Sequence, residues 1–116
     1  MPLENPTETR PWGSYRNLTD ENGFLVKLIE VSPGKRLSLQ KHFKRSEYWT
    51  VVKGRGTAEL DGTAIPLTPG TVLHVPCTAT HRMQASEEEP LLILELQTGE
   101  CREDDIQRLE DDYGRT

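Results

Sequence analysis

The chain has 116 residues, 34% hydrophobic and 28% charged, with a formal net charge of −5. That length gives one small domain with an economical core, and the negative balance argues against nucleic-acid binding. The longest aliphatic run, residues 91–94, falls far short of the ~20 residues of a transmembrane helix, and the Met-Pro-Leu-Glu-Asn-Pro start lacks the layout of a secretory signal, so a cytoplasmic protein that engages no membrane is expected.

Residues 1–19 are rich in Pro, Thr, Asn and Glu, with Trp12 and Tyr15 as the only large anchors, and read as an extended N-terminal arm. Residues 24–31 are a β-rich run stopped by Ser32-Pro33-Gly34, a turn sequence. Residues 37–42 alternate, with Leu37 and Leu39 on one face and Ser38, Gln40 and His42 on the other. Residues 47–52 are β-branched and aromatic and end at Gly54-Arg55-Gly56. Residues 57–60 and 64–67 flank Asp61-Gly62, a hairpin signal. Pro69-Gly70 marks another turn, and residues 71–75 and 91–97 supply further strands. At the end of the chain Ile106, Leu109 and Tyr113 fall at i, i+3 and i+7 behind an acidic start, Glu103-Asp104-Asp105, which predicts a short C-terminal helix. Short strands with turn signals about every 8–12 residues predict an all-β sandwich or barrel. The expected division is an arm (1–19), a barrel (20–98) and an acidic tail (99–116), one domain in all. An arm with so little apolar content must lie on something, and exchange onto a second barrel is one solution, so a homodimer is expected.

Charge is unevenly spread. Residues 35–55 hold seven cations and one anion, a net +6, whereas residues 98–116 hold three cations and seven anions, a net −4. A locally positive surface on an acidic protein suggests a small anionic ligand; its plain reading is a solvated strand face. Cys77 and Cys101 make neither a disulfide framework nor a CxxC site, and read as ordinary thiols.

One constellation could carry chemistry. Gln40 and His42 lie two apart on a predicted strand, so period 2 puts both on one face at a Cα separation of roughly 6–7 Å. An amide oxygen and an imidazole nitrogen can converge on one ion from there. Glu47 opens the next strand and can return to the same ion, and His81 is the candidate fourth ligand. A mixed N/O set of this kind suits Zn, Mn, Fe, Co or Ni rather than Ca. Taken singly each residue has a plain reading; joint spacing makes the case. His74, mid-strand, reads as structural.

The stretch from Gly34 to Gly54 reads G-x5-Q-x-H-x4-E-x6-G, and that from Gly70 reads G-x5-P-x-T-x2-H. They resemble the two motifs of the cupins, with Gln40 where many cupins carry His, Thr78 in place of a motif Gly and Ala85 in place of a motif Asn. Arg10-Pro-Trp-Gly-Ser-Tyr15, the run Leu37-Ser-Leu-Gln-Lys-His-Phe-Lys-Arg-Ser-Glu-Tyr-Trp49 and the tail ending Asp-Asp-Tyr-Gly-Arg115 narrow the resemblance to the cupin domain of type II phosphomannose isomerases. That domain is often fused behind a mannose-1-phosphate guanylyltransferase, for which this length leaves no room. The resemblance implies a cupin jelly-roll barrel that holds a divalent transition metal, zinc first, on Gln40, His42, Glu47 and His81. It implies a mannose-6-phosphate isomerase, interconverting mannose 6-phosphate and fructose 6-phosphate through an enediol, with a sugar phosphate as partner. Arg45, between two ligands in the motif, is assigned to substrate charge or catalysis, and Arg10 and Arg115 to substrate binding; no residue is identified as the proton-moving base. The rival readings are a non-catalytic sugar-phosphate-binding cupin and another cupin enzyme, a dioxygenase or a nucleotide-sugar epimerase.

Overall fold

Turn residues cut the described residues into eleven strands: β1 (Thr7–Arg10), β2 (Gly13–Glu21), β3 (Phe24–Val31), β4 (Leu39–Lys41), β5 (Arg45–Lys53), β6 (Gly56–Leu60), β7 (Thr63–Leu67), β8 (Val72–Val75), β9 (His81–Ala85), β10 (Leu91–Gly99) and β11 (Gln107–Glu110). The structure is a computed structural model that describes residues 6–115. One antiparallel sheet has the order β1-β2-β3-β10-β5-β8 and the other β11-β4-β9-β6-β7, so the expected all-β architecture is observed. Alternate residues of both sheets face one interior, where Ile29, Val31, Trp49, Val51, Met83 and Ile93 are buried together.

Local chemistry fixes the corners. Leu60 pairs with Thr63 across Asp61 (φ +46°) and Gly62 (φ +82°), the two left-handed residues of a tight hairpin turn. The Asp61 carboxylate also accepts the Thr80 N–H at 2.9 Å and so ties that hairpin to the loop before β9. Gly54 (φ +87°) ends β5; a Cβ there would lie 2.0 Å from the Pro90 carbonyl oxygen, so glycine alone allows the approach.

Three expectations are revised. The arm, as far as it is described, lies on its own chain. β1 and the start of β2 form a hairpin that extends the first sheet through the pairing of β2 with β3; residues 1–5 of the arm lie outside the described residues. Residues 81–85, where no strand was expected, form β9, which starts at His81 and whose inward residues include no β-branched side chain. The C-terminal helix is not formed. Residues 107–110 pair instead with β4, because this three-residue strand offers unpaired backbone groups on that side and a helix this short is marginal by itself. Ile106, Leu109 and Tyr113 accordingly part company: Ile106 lines the interior cavity, Leu109 is exposed, and Tyr113 packs against the core while its hydroxyl donates to the Arg36 carbonyl at 3.1 Å.

Candidate metal centre

β5 carries Arg45, Glu47 and Trp49 on its inward face, all buried. Across the interior, Gln40 on β4 is the register partner of His81 on β9, so these two side chains share a face. These residues, apart from the metal question, line one cavity of about 310 Å³ between the sheets. His42 follows β4, and ligand atoms of His42, Glu47 and His81 lie within 4.8 Å of one another. His42 Nε2 is 3.0 Å from Glu47 Oε2, and His81 Nε2 is 3.6 Å from Glu47 Oε1.

The other ring nitrogens reveal what this cluster can accept. His42 Nδ1 is 2.6 Å from the Asp105 carbonyl and His81 Nδ1 is 3.0 Å from the Ala79 carbonyl. A carbonyl accepts only, so each Nδ1 carries a proton and each ring turns its Nε2 towards Glu47. Burial, the largest influence on His81, lowers its pKa and keeps it neutral. Burial alone would raise the Glu47 pKa, but the His42 hydrogen bond and the neighbouring His81 and Arg45 side chains outweigh it and hold Glu47 as a carboxylate. Two imidazole nitrogens and one carboxylate therefore converge on one place, where a cation can take over their lone pairs. Gln40 Nε2 donates to Ser38 Oγ at 3.1 Å, which commits the amide nitrogen and leaves the carbonyl oxygen without a protein donor. The donor set fits a borderline transition ion, and orientation of each imidazole by a backbone carbonyl is the usual support of such a site.

The three expected arginines separate in role. Arg45 lies inside the cluster: its Nε is 3.3 Å from Glu47 Oε2, its Nη1 donates to the Arg102 carbonyl at 3.2 Å, and its Nη2 is 3.0 Å from His42 Nε2. Arg10 and Arg115 line the cavity, where Arg10 Nη2 donates to the Tyr15 hydroxyl at 3.2 Å and Arg115 forks onto the Asp111 carboxylate at 2.8 and 3.0 Å. The basic stretch 35–55 does not gather into one anion site. Of its cations Arg45 alone lines the cavity, Arg36 pairs with Asp112 and Lys44 with Glu100. His74 stacks on Tyr48, away from the cavity.

Two inward residues went unnoticed in the sequence. Glu95, on β10, faces the cavity and is buried. Desolvation and the neighbouring Glu47 carboxylate push its pKa up to about 8, so it is a neutral acid at pH 7. Arg108, on β11, is the register partner of Gln40 and lines the same cavity. The one available signal for Glu95 was the strict alternation Leu91, Ile93, Glu95, Gln97 within β10.

The model of the family described as mannose-6-phosphate isomerase C-terminal matches residues 4–111. The chain belongs to that family. Alginate biosynthesis protein AlgA of Pseudomonas aeruginosa is 45% identical over 108 residues, covering 92% of this chain and 22% of that protein. Mannose-1-phosphate guanylyltransferase ManC of Salmonella typhimurium is 37% identical over 107 residues, covering 91% of this chain and 22% of that protein. Among solved structures, Rru_A2000 of Rhodospirillum rubrum, a cupin-2 domain, superposes with a TM-score of 0.70 at 24% identity over 89% of this chain and 76% of that one. The barrel of this mannose-6-phosphate isomerase C-terminal family member thus has the cupin fold. The chain spans about a fifth of the length of the curated relatives it matches. Those relatives are named for alginate biosynthesis and guanylyl transfer, and this overturns the expectation of a mannose-6-phosphate isomerase in its own right. The family is one of mannose-phosphate enzymes. Among the described residues no helix is long and apolar enough to cross a membrane.

Proposed function

We propose that this cupin is the metal-dependent domain of a mannose-phosphate enzyme, one that holds a phosphorylated hexose in its cavity and performs acid–base chemistry of the aldose–ketose isomerase type. One observation carries the reading: the Nε2 atoms of His42 and His81 meet the Glu47 carboxylate in a buried cluster, of which Glu47 and His81 line the cavity. Gln40, His42, Glu47 and His81 would hold the ion, with zinc the first candidate and manganese, cobalt, iron and nickel the alternatives. When bound, such an ion acts as a Lewis acid on a carbonyl oxygen.

The remaining work falls to the chain's own groups. The Asp105 and Ala79 carbonyls fix the imidazole rings. Arg45 orients Glu47 and adds positive charge beside an oxygen that gains negative charge. Arg10 and Arg115 stand on the cavity wall as substrate contacts, and Glu95 is a cavity carboxyl outside the ligand set.

The test is exchange of carbon-bound hydrogen. Metal-loaded protein incubated with a panel of hexose 6-phosphates in deuterated water is expected to place deuterium at C2, to stop on chelation and to resume when zinc, manganese or cobalt is returned. Glu47→Gln is expected to lower bound metal at least about tenfold and to stop exchange. Protein that carries metal and binds these sugars without exchanging hydrogen overturns the enzymatic reading.

A further inference from the structure

We propose that Arg108 anchors an oxyanion subsite in the cavity and grips the phosphate of the ligand; the proposal rests on the sugar-phosphate reading above. Six cations line the cavity, and five are committed to partners. Arg10 donates to the Tyr15 hydroxyl, Lys27 to Glu103 at 3.1 Å, Arg45 to Glu47, Arg82 to the Glu110 carbonyl at 3.3 Å, and Arg115 to Asp111 at 2.8 Å. Arg108 is the sixth. It has no ion-pair partner among the described residues, and its Nε is buried without a hydrogen-bond acceptor.

Arg108 as a whole is half-buried, but an Nε–H shut off from water and left without an acceptor is unfavourable. The chain nevertheless aims this one inward: β11 pairs with β4 so that Arg108 stands opposite Gln40, and Gln40 stands opposite His81. The subsite thus lies on the same inward row of the second sheet as two of the proposed metal ligands. A hexose phosphate can span such a row, with its carbonyl end at the His81 side and its phosphate at the Arg108 side. The guanidinium presents a planar set of N–H donors that suits the paired oxygens of a phosphate. The pairing of β11 with β4 sets the inward direction of Arg108.

Isothermal titration of the whole chain with mannose 6-phosphate, mannose and inorganic phosphate tests this. Arg108→Ala is expected to weaken mannose 6-phosphate and inorganic phosphate about tenfold or more and to leave mannose within about twofold. Arg108→Lys, which keeps the charge and loses the fork, is expected to recover part of the loss; it also serves if the alanine variant fails to fold. Unaltered metal content in both variants confirms that the cluster is intact. If mannose 6-phosphate binds and exchanges hydrogen equally well with Arg108→Ala, or if mannose and its phosphate weaken alike, the subsite is overturned and the reading of the metal centre stands. If inorganic phosphate binds through Arg108 but mannose 6-phosphate binds no better than phosphate alone, the subsite stands and the sugar-phosphate reading falls. Binding of none of the three overturns both.

Discussion

The barrel interior has two halves built by the same strands. On β10 the inward residues run Leu91, Ile93, then Glu95, Gln97; on β5 they run Val51, Trp49, then Glu47, Arg45; on β3 they run Val31, Ile29, then Lys27. One half is a closed apolar floor and the other a charged mouth, at equal burial: Ile93 is 0% exposed and Glu47 2%. Burial alone therefore does not separate structural from functional positions in this molecule. The floor gains about 1.5–3 kcal/mol for each large apolar side chain it hides. The mouth is tolerable because most of its polar groups meet, Lys27 with Glu103, Arg45 with Glu47 and the imidazoles with backbone carbonyls, with Arg108 the exception. Trp49 joins the two halves, its ring in the core and its Nε1–H donating to Glu47 Oε1 at 2.9 Å.

The sharpest way to break this contrast is to substitute in the floor. Ile93 is fully buried between Ile29 and Val51, its register partners on the two flanking strands. Ile93→Ala is expected to cost about 2–5 kcal/mol of stability, read from urea unfolding, without changing the metal bound per folded molecule. A loss of metal binding out of proportion to unfolding would show that floor and mouth are one cooperative unit rather than two.

The opposite experiment acts on the mouth through pH. In metal-free protein Glu95 titrates near 8 against an ordinary value of 4.5, so between those values the native state holds a proton that the unfolded state has released. Stability is then fully present below about 4.5 and falls as pH rises through about 8. His81 acts in the other direction: its lowered pKa makes stability rise as pH climbs towards 6.5, the ordinary value. The clean observable is the difference between wild type and Glu95→Gln, whose amide takes the place of the neutral acid. Wild type is expected to lose stability relative to this variant across that window; parallel pH curves would mean that Glu95 is ionised in the fold.

The same two halves explain what the sequence could disclose. The meeting of His42 and Glu47 was legible because a short turn separates them, and the Asp61-Gly62 hairpin because its turn chemistry is local. Glu95 was hidden because Leu92, Leu94 and Leu96 form an equally good apolar alternation in the opposite phase; only the route of β10 from floor to mouth decides which set faces in. β9 was hidden for a related reason, since His81, Met83 and Ala85 face inward between Arg82 and Gln84 with no β-branched residue among them. Arg108 depended on a tail whose helical spacing was overruled by the free side of β4, a long-range pairing invisible in the local pattern.

The smallest expected effect concerns the loop that delivers His81 to the mouth. Thr78 occupies the left-handed region at φ +70°, where a β-branched residue is strained by about 1–2 kcal/mol. The turn holds because the Thr78 N–H donates to the His42 carbonyl at 2.8 Å, which links the two histidine-bearing segments directly. Thr78→Gly removes the strain but frees the unfolded chain, which returns about 0.4–1 kcal/mol, so a net gain of up to about 1 kcal/mol is expected from thermal unfolding. Because that hydrogen bond uses backbone atoms alone, metal content should not change. A destabilised Thr78→Gly variant would mean instead that the threonine side chain, whose hydroxyl contacts the Cys77 carbonyl, holds the turn in place, and that His81 is aimed at the mouth by this residue rather than by the backbone around it.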